Sequence, residues 1–363
     1  MTKLKVQNFL VLLALLVFVL FFDINIASAP QGSVKPKPRI VTLLAVGDIM
    51  LSRNVGTKIE QAQNPDLPFK KVADLLRGAD ITFGNLECPL SDSNIPIRDG
   101  LVFRCLTKNF EGVINSGFDV LSTANNHSMD QGIKGLAFTI DYLKSKNILP
   151  IGTNKHHCED SDVTSEDEAI SSINPEDCFA NARNDNLVER GGTKFGFLAY
   201  SYTAFNDGGR SAHPLISTMD HLPKLQSDIA SLKSQADIIL VSMHAGTEYT
   251  RKPNQMQIDF ARAAIDAGAD VVIGHHPHWI QDIEIYNGKP IFYSLGNFVF
   301  DQMWSQETRE GLAVRLAISD KRLVRAELIP IIIDNYCCPR LATDEEKTKI
   351  LKKINLGSAI LEF

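Results

Sequence analysis

V-V-I-G-H-H-P-H-W-I-Q, residues 271–281, is the stretch on which the reading of this 363-residue chain turns. An apolar run closes on Gly274 and then presents His275, His276 and His278. Neutral imidazole is the commonest protein ligand for divalent transition metals, and an H-x-H pair such as His276 and His278 projects two rings to one side of a loop. One histidine after a strand reads as a satisfied structural residue. Three of the chain's nine histidines together read as a metal or catalytic site.

Outward from this stretch the same grammar recurs. Residues 40–46 end in Gly47-Asp48, residues 81–83 in Gly84-Asn85-Leu86-Glu87, residues 120–124 in Asn125-Asn126-His127, and residues 238–243 in His244-Ala245-Gly246. With the histidine cluster this makes five β-rich runs that carry their chemistry at the carboxyl end. That is the pattern of an α/β sheet whose active site lies along one edge. Between the runs, apolar residues recur at helical spacing. Examples are Val72, Leu75 and Leu76; Ile133, Leu136, Ala137, Ile140 and Leu143, with Asp130 as a cap; and Ala261, Ala264 and Ile265 before Gly268. After Gly311 the residues alternate through Leu312, Val314 and Leu316, turn at 319–321 and resume over 324–333, which predicts an antiparallel hairpin. Residues 343–353 read as a surface helix, inside a C-terminal tail of residues 336–363.

The length allows two domains or one large α/β domain, here spanning residues 39–335. A net charge of −6 gives no support for nucleic-acid binding. The same charge means that a polyanion must be held by a local basic patch or a bridging cation. Lys3 and Lys5 precede residues 9–22, which hold no polar side chain, and Ala27, Ser28 and Ala29 follow. This is an export signal, shorter than a spanning helix requires. Pro30 after Ala29 hinders cleavage, so residues 1–29 are either a removed peptide or a retained signal anchor. Both cases place the body outside the cytoplasm. The expected location is the cell membrane, through a single-pass anchor, or a secreted or periplasmic one after cleavage. Residues 30–38 read as a linker.

Six cysteines suit that compartment. Cys88 with Cys105, and Cys158 with Cys178, each close a short loop and are the first pairings to expect. Cys337 and Cys338 are adjacent and are not expected to pair with each other. Cysteine-held zinc is disfavoured because no C-x-x-C occurs. Residues 157–178 are acid-rich and read as a solvated insertion tied by its cysteines.

Asp48, Glu87, Asn126, His244, His276 and His278 form a mixed oxygen and nitrogen ligand set, suited to zinc, manganese or iron rather than calcium. Two such ions clamp a phosphoryl or acyl centre and generate hydroxide. His127 is the natural proton donor to a leaving group. Arg53 and Arg104 are candidates for bidentate substrate contacts, with surface ion pairing as the alternative. Glu248 and Tyr249 read either as base and donor or as a buried pair. Asn297 is placed to orient a metal ligand. Trp279 and Trp304 read as packing residues, with a stacking platform as the alternative.

Six motifs in order, G-D-I-M at 47–50, G-N-L-E at 84–87, A-N-N-H-S-M-D at 124–130, H-A-G-T-E-Y at 244–249, G-H-H-P-H at 274–278 and S-L-G-N-F at 294–298, resemble the CapA/PgsA-type capsule and poly-gamma-glutamate biosynthesis proteins. The resemblance covers residues 41–301. That family is similar in turn to the calcineurin-like metallophosphoesterases, which implies a four-layer α/β/β/α sandwich with blocks G-D-x-H, G-D-x-x-D, G-N-H and G-H-x-H. By position, Asp48 resembles the first metal ligand, Asn126 the amide ligand, His127 the catalytic histidine, His244 the isolated histidine ligand, and His276 with His278 the closing pair. Two positions depart. Met50 stands where the first block has histidine, and Asn85 stands where a carboxylate bridges two cations, a task a neutral amide performs poorly. Asn85 is then a substrate contact and Glu87 supplies the carboxylate, since the two share a face of a strand. The number of metals stays open.

The resemblance implies a membrane-associated component of surface-polymer synthesis and export, whose partners are the polymer or its precursor and other synthase subunits. The ligand set implies a metal-dependent hydrolase, phosphoesterase or transferase acting on a cell-envelope substrate. A polymer-assembly component can be both.

Overall fold

The apolar run ahead of Gly47 lies in the longer strand β1 (Val41–Ile49), in which Asp48 is itself a strand residue. The computed structural model describes residues 39–93, 102–153, 186–202 and 215–363. The expectations for residues 1–38, for the insertion at 157–178 and for a Cys158–Cys178 pairing lie outside the described residues. β2 (Ile81–Leu86), β3 (Val120–Ser122) and β4 (Leu149–Ile151) follow β1 in parallel. On its other side come the antiparallel β12 (Glu310–Ser319), β13 (Arg322–Asp334) and β14 (Cys338–Leu341). β11 (Asn297–Val299) pairs with the end of β1, and β15 (Ile360–Glu362) pairs with β13.

A second sheet has the order β5 (Leu187–Arg190), β6 (Thr193–Ser201), β7 (Ile238–His244), β8 (Val271–His275), β10 (Lys289–Phe292), β9 (Ile283–Tyr286). The five chemistry-bearing runs therefore do not share one sheet. β1, β2 and β3 belong to the first and β7 and β8 to the second. Sequence spacing carries no information on such long-range pairing.

Strand residues point alternately to opposite faces, so each central strand feeds two cores. Leu43 and Ala45 of β1 meet Leu240 of β7 and Ile273 of β8 between the sheets, where Phe83 and Phe197 stack at 6.3 Å. Leu44 and Val46 face outward onto Phe69 and Phe110 beneath the helices Arg53–Ala62 and Thr107–Asn115. Ile239 and Val241 face Ile229 and Phe260 of the helices Leu222–Lys233 and Gln255–Ala267. Burial on both faces explains why these strands read as unbroken apolar runs. The layers are helix, sheet, sheet, helix.

Two glycines set the rim. A Cβ on Gly47 would lie 1.9 Å from the Gly296 carbonyl oxygen, and one on Gly274 would lie 1.9 Å from that of Tyr293. Only glycine admits backbone this close, and the residue after each one carries site chemistry.

Several local expectations need correction. The helix Gly132–Ser145 has Gln131 at its N-cap, not Asp130, whose carboxylate bonds elsewhere. Cys88 and Cys105 are buried free thiols. Each has its own hydrogen bond, since Cys88 Sγ accepts from Leu51 N and Cys105 Sγ donates to the Leu106 carbonyl. Cys337 and Cys338 are bonded to each other, at the tight connection between β13 and β14. The expected C-terminal helix is present as Asp344–Lys353, with a capping box from Thr343 and Glu346. Among the described residues no helix is long and apolar enough to cross a membrane.

Candidate metal centre

The carboxyl ends of the two sheets meet at one rim, and strand register sets the site. Asp48 lies opposite Asn85 on β2 and opposite Asn297 on β11, while His244 lies opposite His275 across β7 and β8. Asp48, Glu87 and His244 offer ligand atoms all within 4.8 Å of one another, and all three side chains are buried.

Glu87 is the least compensated group in the cluster. Neither carboxylate oxygen has a hydrogen-bond partner, although both are buried. The nearest ring nitrogens are His278 Nε2 at 3.9 Å and His127 Nε2 at 4.0 Å. An ion removed from water without a partner costs several kcal/mol. Burial, and then the negative charge of Asp48, push the Glu87 carboxyl well above its ordinary range. Burial also opposes ionisation of Asp48, but the contact with His275 and the other nearby histidines hold its carboxyl well below the usual value. Asp48 further accepts hydrogen bonds from Asn85 Nδ2 at 2.9 Å and from the His276 backbone N–H at 3.3 Å.

Burial disfavours the charged form of three of the histidines. Desolvation pushes His244 well below its ordinary value, His276 down to about 3 and His278 downward. His244 Nε2 lies 2.8 Å from Asn126 Oδ1, and its Nδ1 lies 3.3 Å from Asn85 Nδ2. His276 Nε2 lies 3.0 Å from the Tyr202 hydroxyl, and its Nδ1 is unpartnered. His278 Nδ1 lies 2.9 Å from Asn297 Oδ1. The amide nitrogen of Asn297 is committed to Gln302 Oε1 and the Thr308 carbonyl. Its oxygen therefore accepts, the proton of His278 sits on Nδ1, and Nε2 keeps its lone pair on the Glu87 side. His276 and His278 have φ of 97° and 56°, backbone conformations that side chains other than glycine rarely adopt. Such strain gathers at functional sites.

These residues fit a divalent cation. The donors are two buried carboxylates, neutral imidazoles and an amide oxygen. The buried atoms without a hydrogen bond include both oxygens of Glu87, Nε2 of His275 and Nδ1 of His276, while Nδ1 of His275 lies 3.2 Å from Asp48 Oδ1. A cation satisfies such a set, and mixed nitrogen and oxygen donors suit zinc, manganese or iron.

Beside the cluster opens a cleft of about 380 Å³, whose lining includes Arg53, Phe103, His127, Glu248, Tyr249, His278, Phe300 and Trp304. His127 stacks on Phe103 at 3.8 Å and directs Nδ1 to Asp130 Oδ2 at 2.7 Å. Arg53 is no free surface charge: its guanidinium grips the buried carboxylate of Asp301 through Nε and Nη2. Glu248 is exposed in the cleft wall, and the Tyr249 hydroxyl accepts from Gln302 Nε2 at 3.3 Å.

Three expectations change here. Arg104 donates Nη1 to the Ser93 carbonyl and is not among the lining residues. Asn85 is fully buried, and its amide is spent on Asp48 and Asn125 instead of substrate. Trp304 is 61% exposed at the cleft mouth and is not a packing residue. Sequence reading did not single out Tyr202, Asp301 or the positioning role of Asn125, which holds Asn85 and accepts from the His127 backbone.

The family model described as "Bacterial capsule synthesis protein PGA_cap" matches residues 42–170 and 177–302. The "PGA biosynthesis protein CapA" of Bacillus subtilis (strain 168) is 31% identical over 343 residues, covering 93% of this chain and 83% of that protein. The "Capsule biosynthesis protein CapA" of Bacillus anthracis is 28% identical over 324 residues, covering 86% of this chain and 72% of that one. Among solved structures, the calcineurin-like phosphoesterase YfkN from Bacillus subtilis is similar with a TM-score of 0.45 and 13% identity, over 88% of this chain and 97% of that one.

Proposed function

The chain belongs to the PGA_cap family of bacterial capsule synthesis proteins, and from that membership we propose that it is a component of capsule or poly-gamma-glutamate biosynthesis, anchored at the membrane with its body outside the cytoplasm. Its body holds one or two divalent cations, zinc, manganese or iron, through Asp48, Glu87, Asn126, His244, His276 and His278, and uses them on a bond of the polymer, its precursor or another envelope substrate. The observation that carries this reading is the buried Glu87 carboxylate, neither oxygen of which makes a hydrogen bond, with ring nitrogens no nearer than 3.9 Å and the Asp48 carboxylate beside it.

The cation supplies Lewis acidity and an activated water. The chain's own residues supply the rest. Asp48 and Glu87 provide the negative charge that holds the ion, and Asn297 fixes the His278 tautomer. His127 faces both the cluster and the cleft, with Asp130 accepting its Nδ1 proton, and once protonated at Nε2 as an imidazolium would hand that proton to a departing oxygen or nitrogen. Export is supported by the sequence pattern of residues 1–29. The polymer or its precursor as partner draws on the relatives' names, which refer to PGA and capsule biosynthesis; synthase subunits as further partners are part of the same proposal.

Metal analysis of the full chain, purified in detergent without chelator, tests this together with polymer production in a strain lacking its own gene. One or two transition metals per chain are expected, lost in Asp48→Asn and Glu87→Gln along with polymer, while circular dichroism is unchanged. A folded, metal-free protein that restores polymer would overturn the reading.

A further inference from the structure

The outer half of the cleft, beyond the cation ligands and His127, has a composition of its own. Trp304 leaves 61% of its surface to solvent, although large aromatic side chains are the ones most strongly driven to burial. It meets Tyr249 edge to face, with ring centroids 4.7 Å apart and planes at 82°, so the two rings form a corner at the mouth. Tyr249 is held there in a left-handed backbone conformation, φ 61°, by its N–H bonding to the Pro277 carbonyl at 2.9 Å.

The charge of this cleft selects its ligand. Arg53 is the one arginine or lysine among the lining residues, and it is committed to Asp301. Glu248 then leaves the outer cleft net negative. A chain with a carboxylate on every unit meets repulsion there. An uncharged ring bearing hydroxyls finds an aromatic face for its C–H edge and finds Glu248 and Tyr249 for its O–H groups. Negative charge on the ligand belongs further in, where the cation sits. We propose that the outer cleft is a sugar subsite that takes a glycosyl ring against Trp304 and Tyr249, joined to a phosphate that reaches the cation ligands. This inference rests on the cation reading above. A cleft of about 380 Å³ has room for one such ring and its phosphate.

The full chain has two tryptophans, so Trp279→Phe leaves Trp304 as the one indole reporter. In this background the metal-loaded protein is titrated with N-acetylglucosamine 1-phosphate, glycerol 1-phosphate, tri-γ-glutamate and the methyl glycoside of N-acetylglucosamine, by calorimetry and by Trp304 emission. The sugar phosphate is expected to bind about tenfold more tightly than glycerol phosphate and to shift the emission. In the otherwise native chain, Trp304→Ala should remove that preference and leave metal content and glycerol phosphate affinity unaltered. Tri-γ-glutamate binding as tightly as the sugar phosphate, or an unchanged preference in Trp304→Ala, overturns the subsite. Failure of the cation reading looks different: neither phosphate binds, while the methyl glycoside still shifts Trp304. No response to either sugar ends the proposal.

Discussion

Nδ1 of His127 lies 2.7 Å from Oδ2 of Asp130, three residues further along the chain, and this contact leaves Nε2 facing Glu87 at 4.0 Å. Asp130 is itself fixed, because its Oδ2 also accepts from the Phe103 N–H at 2.6 Å. The carboxylate sets the tautomer and angle of the ring that Phe103 supports from its face. In Asp130→Asn the ring loses that control while the cation ligands are untouched. With a chromogenic phosphodiester, turnover is expected to fall by about 100-fold or more at unchanged metal content. Full turnover in this variant would remove His127 from its assigned role.

Glu87 makes the metal-free protein sensitive to pH. Its folded-state carboxyl titrates well above the ordinary 4.5. Between that ordinary value and its raised folded value, the folded state keeps a proton that the unfolded chain has lost, so stability falls as pH rises. The chelated protein should therefore melt at progressively lower temperature from about pH 5 toward neutrality. Glu87→Gln should flatten this slope, and added cation should reverse the loss in the native chain alone, since binding holds the carboxylate in its charged form. A melting temperature that ignores both pH and cation would argue against an uncompensated Glu87.

The strands were legible because burial on both faces writes an unbroken apolar run, as in β7 and β8, and the residues gathered at the rim were legible because each follows closely on such a run. The division of those runs between two sheets was not, since pairing such as His244 with His275 is set across the fold. Tyr202 follows the last residue of β6 with no glycine or histidine to mark it, and only the register of Ser201 with His244 brings it to His276. Met50, the apparent gap in the first block, packs in the outer core with Leu51 and Val55, so its side chain belongs to the helical layer. Asp130 looked like a helix cap because it precedes an apolar stripe. The nearby imidazole of His127 took its carboxylate instead.

Arg340 ties the C-terminal helix to β13. Its guanidinium reaches Glu346 at 2.7 and 2.8 Å and Asp334 at 3.0 Å. The bond to Arg340, with help from the Thr343 backbone, holds the Glu346 carboxyl down at about 2. A depressed carboxylate contributes stability that is present above its unfolded value of 4.5 and is lost as pH falls through about 2. The pair is partly solvated, so Arg340→Ala is expected to cost about 1 kcal/mol at neutral pH and less near pH 2. Urea titrations at the two pH values measure this. An equal loss at both would assign the effect to packing of the arginine stem.

Asn297 touches no ligand atom of the cluster, yet it decides which nitrogen of His278 can serve a cation. Its Oδ1 accepts the Nδ1 proton at 2.9 Å, and its amide nitrogen is locked by Gln302 and by the Thr308 carbonyl. The register of β11 against β1 holds Asn297 beside Asp48, so the same backbone pairing positions one proposed ligand and the residue that orients another. Asn297→Ala frees the ring to carry its proton on Nε2, where it opposes a cation. Affinity should fall by about 10- to 100-fold, the usual cost of losing such a partner. Asn297→Asp keeps an acceptor in place and should retain or strengthen binding, because a carboxylate makes the imidazole more basic. Competition against a chelating indicator separates the outcomes. If both variants weaken binding alike, Asn297 acts through the strand and not through the ring of His278.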